Sequence, residues 1–362
     1  MSNSLLLAKR EPNMYHVSST PTQTPSHHSF LGPEADSSPS TSDTDSALGS
    51  FRSTRSTSLT SSIYAYHYEN GRRYHAPRSN SDTQYLLPND EPELDRLDLQ
   101  HQLFCMTLDG SLHAAPLSPD IQTALDVGTG TGIWAIDFAD KYPSASVIGM
   151  DLSPVQPAYV PPNLTFYIED AEADGPWSFD SGSFDYIHGR MIIVGIKAWP
   201  AFFARAFDAL KPGGWLEIQD LQFPFRCDDG SAGPESPFMK WSDHMMAGAA
   251  AVGVDLCAGA RFEEWLKEAG FVDVAVQRFA WPVGRWPRDE KMKEWGMWCQ
   301  MNFLEGVHGF TMGFVSRGLK WSKEEIEVFL ADVRKQVKNV SSHIYIPIFF
   351  FMARKPMEGE VA

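Results

Sequence analysis

The sequence predicts an α/β fold in which a largely parallel sheet is covered by helices on both faces. Three observations predict it. From about residue 122, short apolar runs alternate with amphipathic segments, the pattern of strands joined by crossover helices. A glycine-rich stretch, GTGTG, stands directly between the first run and the helix after it. And 362 residues that are 43% hydrophobic, with 11 Trp and 23 Phe, are too apolar for a mainly unfolded chain and sufficient for one large domain.

Taken in order, residues 1–62 are dominated by Ser, Thr, Pro and His and are expected to form a disordered tail, because such a segment buries too little apolar surface to offset its chain entropy. Its Ser-Pro and Thr-Pro steps are open to kinases. Residues 63–120 are expected to form a helical lid or cap, with Leu94, Leu97 and Phe104 sharing one stripe of a helix.

The main domain is expected over 121–356. TALDVG is its first strand, and Thr131 to Tyr142 its first helix, with Ala135, Phe138, Ala139 and Tyr142 on one side. SVIGMD, LTFYIED and FDYIHG follow as strands. The helix from Trp199 places Phe203, Ala206, Phe207 and Leu210 at helical spacing. Pro212, Gly213 and Gly214 are expected to stop that helix and turn the chain into the strand WLEIQD. A helix carrying Phe262, Trp265, Leu266 and Ala269 then feeds FVDVAVQRF. A last helix opens with Ser322 and Glu325 in capping-box relation, and HIYIPIFFFMA closes the sheet, with Pro347 expected at an edge or a bulge. Insertions are expected at 222–260 and 281–321. Their aromatic residues either roof an apolar pocket or pack the core.

Charge and cysteine usage narrow the function classes. A formal net charge of -16 opposes attraction to phosphate backbones, which argues against nucleic acid as a ligand. Cys105, Cys227, Cys257 and Cys299 have neither disulfide-framework nor metal spacing, so no metal is expected and a reducing compartment is, cytoplasmic and/or nuclear. The apolar run at the N-terminus is too short for a signal peptide. The longest apolar stretch, Ile344 to Met352, falls short of the roughly 20 residues that span a bilayer, so no membrane anchoring is expected.

The chemistry-bearing motif is ALDVGTGTGIW, in which Gly128, Gly130 and Gly132 lie between strand and helix, where the turn is tight and a ligand must approach the backbone. Asp151 ends the second strand, 19 residues beyond Gly132, where a carboxylate accepts ribose hydroxyls. Asp170 and Ala171, after the third strand, suit an adenine edge, with a loop cap as the other reading of Asp170. A nicotinamide-dependent dehydrogenase shares these first features, but its dinucleotide fold favours a further glycine three positions on, and the chain has no Tyr-x-x-x-Lys pair. His188, Arg190 and Asp220 stand at later strand ends. They are the candidate catalytic or acceptor-binding residues, against structural roles as a fold hydrogen bond, a surface ion pair and a turn cap.

At ENGRRYH, LPNDEPELDRLDLQH, LDVGTGTGIWAIDFADKYPSASVIGMDLSPVQP, VPPNLTFYIEDAE, FDYIHGRM and LKPGGWLEIQD the sequence resembles the class I S-adenosylmethionine-dependent methyltransferases, and within them the fungal LaeA-like or TAM-domain methyltransferases. The resemblance covers roughly residues 64–356. It implies a Rossmann-like sheet of seven strands with the last antiparallel, and S-adenosyl-L-methionine as cofactor. It further implies that Asp126, Gly128, Thr129, Gly130 and Gly132 hold the methionine and ribose portions, that Asp151 binds the ribose hydroxyls, that Leu152 packs on adenine, and that Asp170 with Ala171 reads its edge. His188 is expected near the sulfonium. Glu69 to His75 is expected as a lid, with Arg73 and Tyr74 as further cofactor contacts. The acceptor implied is a small molecule of fungal secondary metabolism, or alternatively a protein partner within a regulatory complex.

Overall fold

The computed structural model describes residues 66–75 and 85–360; the expected tail at 1–62 lies outside them. The described chain opens with a hairpin of β1 (His67–Glu69) and β2 (Arg72–Tyr74), joined by the two-residue turn Asn70-Gly71. Helix α1 (Glu91–Thr107) follows, with Asp90 capping its N-terminus through the Glu93 amide.

The sheet is built from β3 (Thr123–Val127), β4 (Ser146–Asp151), β5 (Leu164–Ile168), β6 (Phe184–Arg190), β7 (Leu210–Leu221), β8 (Val272–Pro282) and β9 (Tyr345–Arg354). Its spatial order is β5-β4-β3-β6-β7-β9-β8. The first five strands run parallel and β9 runs antiparallel to both neighbours, so the expected seven strands and reversed last strand are present. The order turns back on itself at β3, between β4 and β6, which opens a crevice at the carboxyl ends of these strands, where ligands bind in such sheets.

Two-residue periodicity sorts side chains to the two faces. On one face, Leu125, Val127, Ile187, Ile218 and Phe351 meet α3 (Trp199–Ala209) and α5 (Phe262–Glu268). On the other, Ala124, Val147, Tyr186 and Met352 meet α2 (Ile133–Lys141) through Trp134, Ala135 and Phe138. A third core joins Phe104 of α1, Ile346, Ile348 and Phe350 of β9, and a helical body of α4 (Pro237–Ala251), α6 (Glu290–Thr311), α7 (Arg317–Leu319) and α8 (Lys323–Val337). The Ser322/Glu325 capping box is formed in α8. No helix among the described residues is long and apolar enough to cross a membrane.

Three local expectations are corrected. Helix α3 passes straight into β7 at Leu210, and Pro212, Gly213 and Gly214 lie within a register irregularity of that strand rather than in a separate turn. Pro347 is in β9, which lies between β7 and β8 and is not an edge. Its carbonyl accepts the Gln222 amide just past the end of β7. In an antiparallel strand the missing N–H points to that same side, so the ladder with β8 loses no donor. Finally, α1 does not bury a leucine stripe. Its most buried positions include Glu93, Arg96, Gln100 and His101, while Leu94 and Leu97 are only half-buried.

Candidate active site

At the carboxyl ends of β3, β4 and β6 lies a cavity roofed by α1. Its wall includes Asn89, Glu93, Leu94, Leu97 and Gln100 from the α1 side, and residues 126–131 from β3 and its turn. Residues 150–153, 169–172 and 190–192 supply further parts of it, with His188 and Trp134 behind them. Three sequence segments that are remote from one another are thus brought together by parallel pairing of their strands.

The turn after β3 shows what its glycines do. Gly132 has φ +81 and a Cβ there would stand 2.4 Å from the Phe166 ring, so packing against β5 demands glycine. Gly130, with φ +59, meets only Leu97 Cδ1 at 3.4 Å. The Gly130 amide donates to Asp151 Oδ2 at 2.8 Å, and its carbonyl accepts from Gln156 Nε2 at 2.7 Å. Thr129 donates to Asp126 Oδ2 at 2.6 Å.

Asp151 is the clearest test of whether a ribose fits. Each carboxylate oxygen already accepts one backbone amide, from Gly130 at 2.8 Å and Ser153 at 2.9 Å. A carboxylate offers about four lone-pair sites, and with the Leu152 amide also stabilising it at least one remains for a further donor. Burial, aided by the Asp126 charge, pushes its carboxyl up to about 6; hydroxyls that donate to it would relieve that penalty. Asp170 turns one oxygen to the Glu172 amide at 2.9 Å, a loop cap, while Asp170, Ala171 and Leu152 all line the cavity. The expected cofactor residues on the strand ends therefore share one wall and fit S-adenosylmethionine.

The expected catalytic residues separate. Arg190 lines the cavity and is half-buried. His188 lies in the wall but is fully buried. Its ring stacks on Trp134 at 3.7 Å and 8°, its Nδ1 is 2.7 Å from Asp126 Oδ1, and its Nε2 has no hydrogen-bond partner. Because the Asp126 carboxylate accepts, Nδ1 carries the proton and the ring holds Asp126 in place. Asp220 is not part of the cavity wall. It accepts the Ile193 amide at 2.8 Å and the Leu221 amide at 2.9 Å, which fastens the turn carrying Met191 and Ile192 to the end of β7. Burial pushes its carboxyl up to about 7.

The hairpin is likewise one layer out. Neither Arg73 nor Tyr74 lines the cavity. Arg73 donates to the backbone carbonyl and, at 3.1 Å, to the side chain of Asn89. Asn89 does line the cavity and donates to Ser153 Oγ at 3.1 Å. Arg72 pairs with the α1 cap Asp90 at 2.6 Å, and Tyr74 is buried beneath Arg317. The large aromatics of the two insertions, Trp241, Trp281, Trp295 and Phe303 among them, pack the helical body and do not roof the cavity.

Sequence reasoning missed Asn89, Gln100, His101 and Gln156. Only Gln156 had a local signal, its place after the strand-ending Asp151; the others act through partners far away in sequence.

A protein-family model described as a methyltransferase domain matches residues 99–276. Methyltransferase pytC of Aspergillus terreus is 38% identical over 301 residues, which span 83% of this chain and 91% of its own. The chain belongs to the S-adenosylmethionine-dependent methyltransferase family. This methyltransferase is also similar to the probable methyltransferase tdiE of Emericella nidulans, with 34% identity across 73% of this chain and 82% of that one. To the protein-methionine methyltransferase laeA of Emericella nidulans it is 36% identical across 81% of this chain and 77% of the other. In this methyltransferase the cavity is walled by β3, β4 and the loop after β5, with α1 above it.

Proposed function

We propose that this methyltransferase modifies a small molecule of secondary metabolism, and that Asp126, Gly128, Thr129, Gly130, Asp151, Leu152, Asp170 and Ala171 hold its cofactor, while Gly132, which does not line the cavity and packs on Phe166, shapes the turn that carries them. The observation that carries the reading is the cavity itself: a half-enclosed space with the glycine turn and Asp151 at one wall and the half-buried Arg190 with Leu94, Leu97, Met191 and Ile192 at another. Such a mixed, concave lining suits a small acceptor.

S-adenosylmethionine, when bound, supplies an electrophilic methyl group on a sulfonium. The chain's own residues then have a positioning task, and positioning can supply most of the acceleration of a two-reactant transfer. Gly130 lets the backbone approach closely, Asp151 accepts the ribose hydroxyls, and Asp126, held by Thr129 and His188, orients the floor beneath them. The α1 wall excludes water above.

A protein acceptor is the second reading, because identity to laeA, elsewhere named a secondary metabolism regulator, is nearly as high as to pytC. The four free cysteines support action in the cytoplasm and/or nucleus under either reading.

The experiment is to incubate the full chain with methyl-labelled S-adenosylmethionine, a panel of phenolic and polyketide-like compounds, and nuclear protein. Label recovered in an organic extract supports the small-molecule reading; label recovered only in protein overturns it. Asp151→Ala should weaken S-adenosylhomocysteine binding by about 1.5 to 3 kcal/mol in titration calorimetry, the usual loss for hydrogen bonds to a charged group. Unchanged affinity would move the ribose site elsewhere.

A further inference from the structure

Among the described residues lining the cavity, Arg190 is the only lysine or arginine. Its guanidinium lies over the Phe104 ring, 5.0 Å from the centroid, and its Nη2 is 2.9 Å from His101 Nδ1. Among the described residues, no carboxylate approaches it within the 4.0 Å of an ion pair. A guanidinium carries five N–H donors in a fixed fork and suits carboxylates in particular. Among the described residues this one has a single hydrogen-bonded donor, and it stands at a cavity wall.

The arrangement behind it is specific. Arginine only donates, so His101 Nδ1 must accept. The His101 proton therefore sits on Nε2, 2.9 Å from Asp137 Oδ2 and 3.3 Å from Cys105 Sγ. Asp137 of α2 thus sets the tautomer of a buried histidine on α1, and the histidine aims an arginine on β6. The next residue, Met191, has φ +55, a left-handed conformation that is unfavourable for a side-chain-bearing residue and clusters at functional turns. The Asp220 bond to Ile193 holds that turn.

We propose that Arg190, aimed by His101, is a carboxylate-binding subsite of the cavity, its ligand being either the amino-acid carboxylate of S-adenosylmethionine or a carboxylate on the methyl acceptor. The inference rests on reading the cavity as the cofactor site. His101 is a positioning residue: a second proton on Nδ1 would set an N–H against the Arg190 donors and release the fork. The charged and titratable groups around the pair are Asp98 and Cys105 of α1, Asp137 of α2 and Asp126 of β3. Burial, more than any of these, holds His101 below its ordinary value of 6.5 and so keeps it neutral.

The test is calorimetric titration of the full chain with S-adenosylhomocysteine, with decarboxylated S-adenosylmethionine, and with benzoate in the presence of saturating S-adenosylhomocysteine. If the ligand is the cofactor carboxylate, Arg190→Met weakens S-adenosylhomocysteine about ten- to a hundredfold and leaves the decarboxylated compound within about twofold. If it is an acceptor carboxylate, both adenosyl ligands are unaffected and benzoate binding, present in the wild type, is lost. Equal loss of both adenosyl ligands, or no dependence of any ligand on Arg190, overturns the proposal. Wild-type protein that binds neither adenosyl ligand overturns the cofactor reading of the cavity and the subsite with it.

His101→Leu should reproduce the Arg190→Met pattern in part, and His101→Gln, whose amide oxygen can accept from the guanidinium, should restore it. Wild-type affinity for the carboxylate ligand should fall at acid pH, once the medium is more acidic than the depressed value of His101, and stay level in His101→Gln. A purely structural histidine would show neither the rescue nor the pH difference.

Discussion

The helical body is dense in aromatic side chains and the cavity wall in polar ones, and the two treat their polar groups differently. In the helical body, Trp241 Nε1 donates to Thr311 at 2.8 Å, and the Thr311 hydroxyl donates in turn to the Val307 carbonyl one turn back. Trp281 and Thr107 repeat the arrangement, with Thr107 donating to the Leu103 carbonyl. Both of these indoles are closed by a helical threonine, so neither has a donor left to offer a ligand. At the cavity, Asp151 keeps a lone pair free, Arg190 keeps donors free, and the His188 Nε2 has no partner. Buried polar groups are normally satisfied, and unpaired ones also occur at Trp199, Gln219 and Ser236 away from the cavity, so the convergence of open donors and acceptors on one concave wall, and not a rich aromatic composition, marks a binding site. The Trp- and Met-rich insertions were ambiguous on composition for this reason.

The contrast can be broken by paired substitutions. The largest effect should come from Gly130→Asn. Asparagine tolerates the left-handed conformation at modest cost, and the cavity side of Gly130 has room, so the fold should persist while S-adenosylhomocysteine binding weakens by more than about a hundredfold, roughly 2.7 kcal/mol. Retained affinity with a normal melting curve would show that the glycine turn does not face the cofactor.

Trp241→Ala should act in the opposite sense. Removing a fully enclosed indole costs about 3 to 5 kcal/mol of stability and leaves Thr311 without its donor. Affinity of the remaining folded protein for S-adenosylhomocysteine should be unchanged. A selective loss of binding in urea-matched samples would mean that the helical body contributes to the site after all.

The smallest effect, and the finest discrimination, concerns Asp220. Its carboxyl stands at about 7 in the folded chain against an ordinary 3.8. Between those values the unfolded chain has released the proton while the folded chain still holds it, so this group's contribution to stability is complete below 3.8 and declines as pH rises toward 7. Asp220→Asn removes that dependence but gives up an acceptor for one of two amides, a loss of about 1 kcal/mol. Urea midpoints at pH 5 and pH 8 should therefore show the variant gaining on the wild type at the higher pH. A constant difference would mean that the carboxylate is charged throughout and that the turn at Met191 is held by an ion.

The sequence alone determined the elements whose cause is local. The glycine turn, the capping box at Ser322 and Glu325, the two-residue alternation of the strands and the acidic end of β4 each follow from a few neighbouring residues, because φ, capping and strand faces are set over short distances. Cofactor family and strand count were legible through motifs of that kind. Tertiary structure decided which polar residues meet at the cavity and behind it. Asn89 with Ser153, His101 with Arg190, and Arg96 with Asn302 are hydrogen-bonded across 64, 89 and 206 residues. No periodicity in α1 announces that its buried face carries Glu93, Arg96 and His101, since burying such groups is favourable only when partners from other elements arrive. The same reason removed Asp220, Arg73 and Tyr74 from the cavity: their positions in sequence lie close to the site, but backbone amides, Asn89 and Arg317 reach them first.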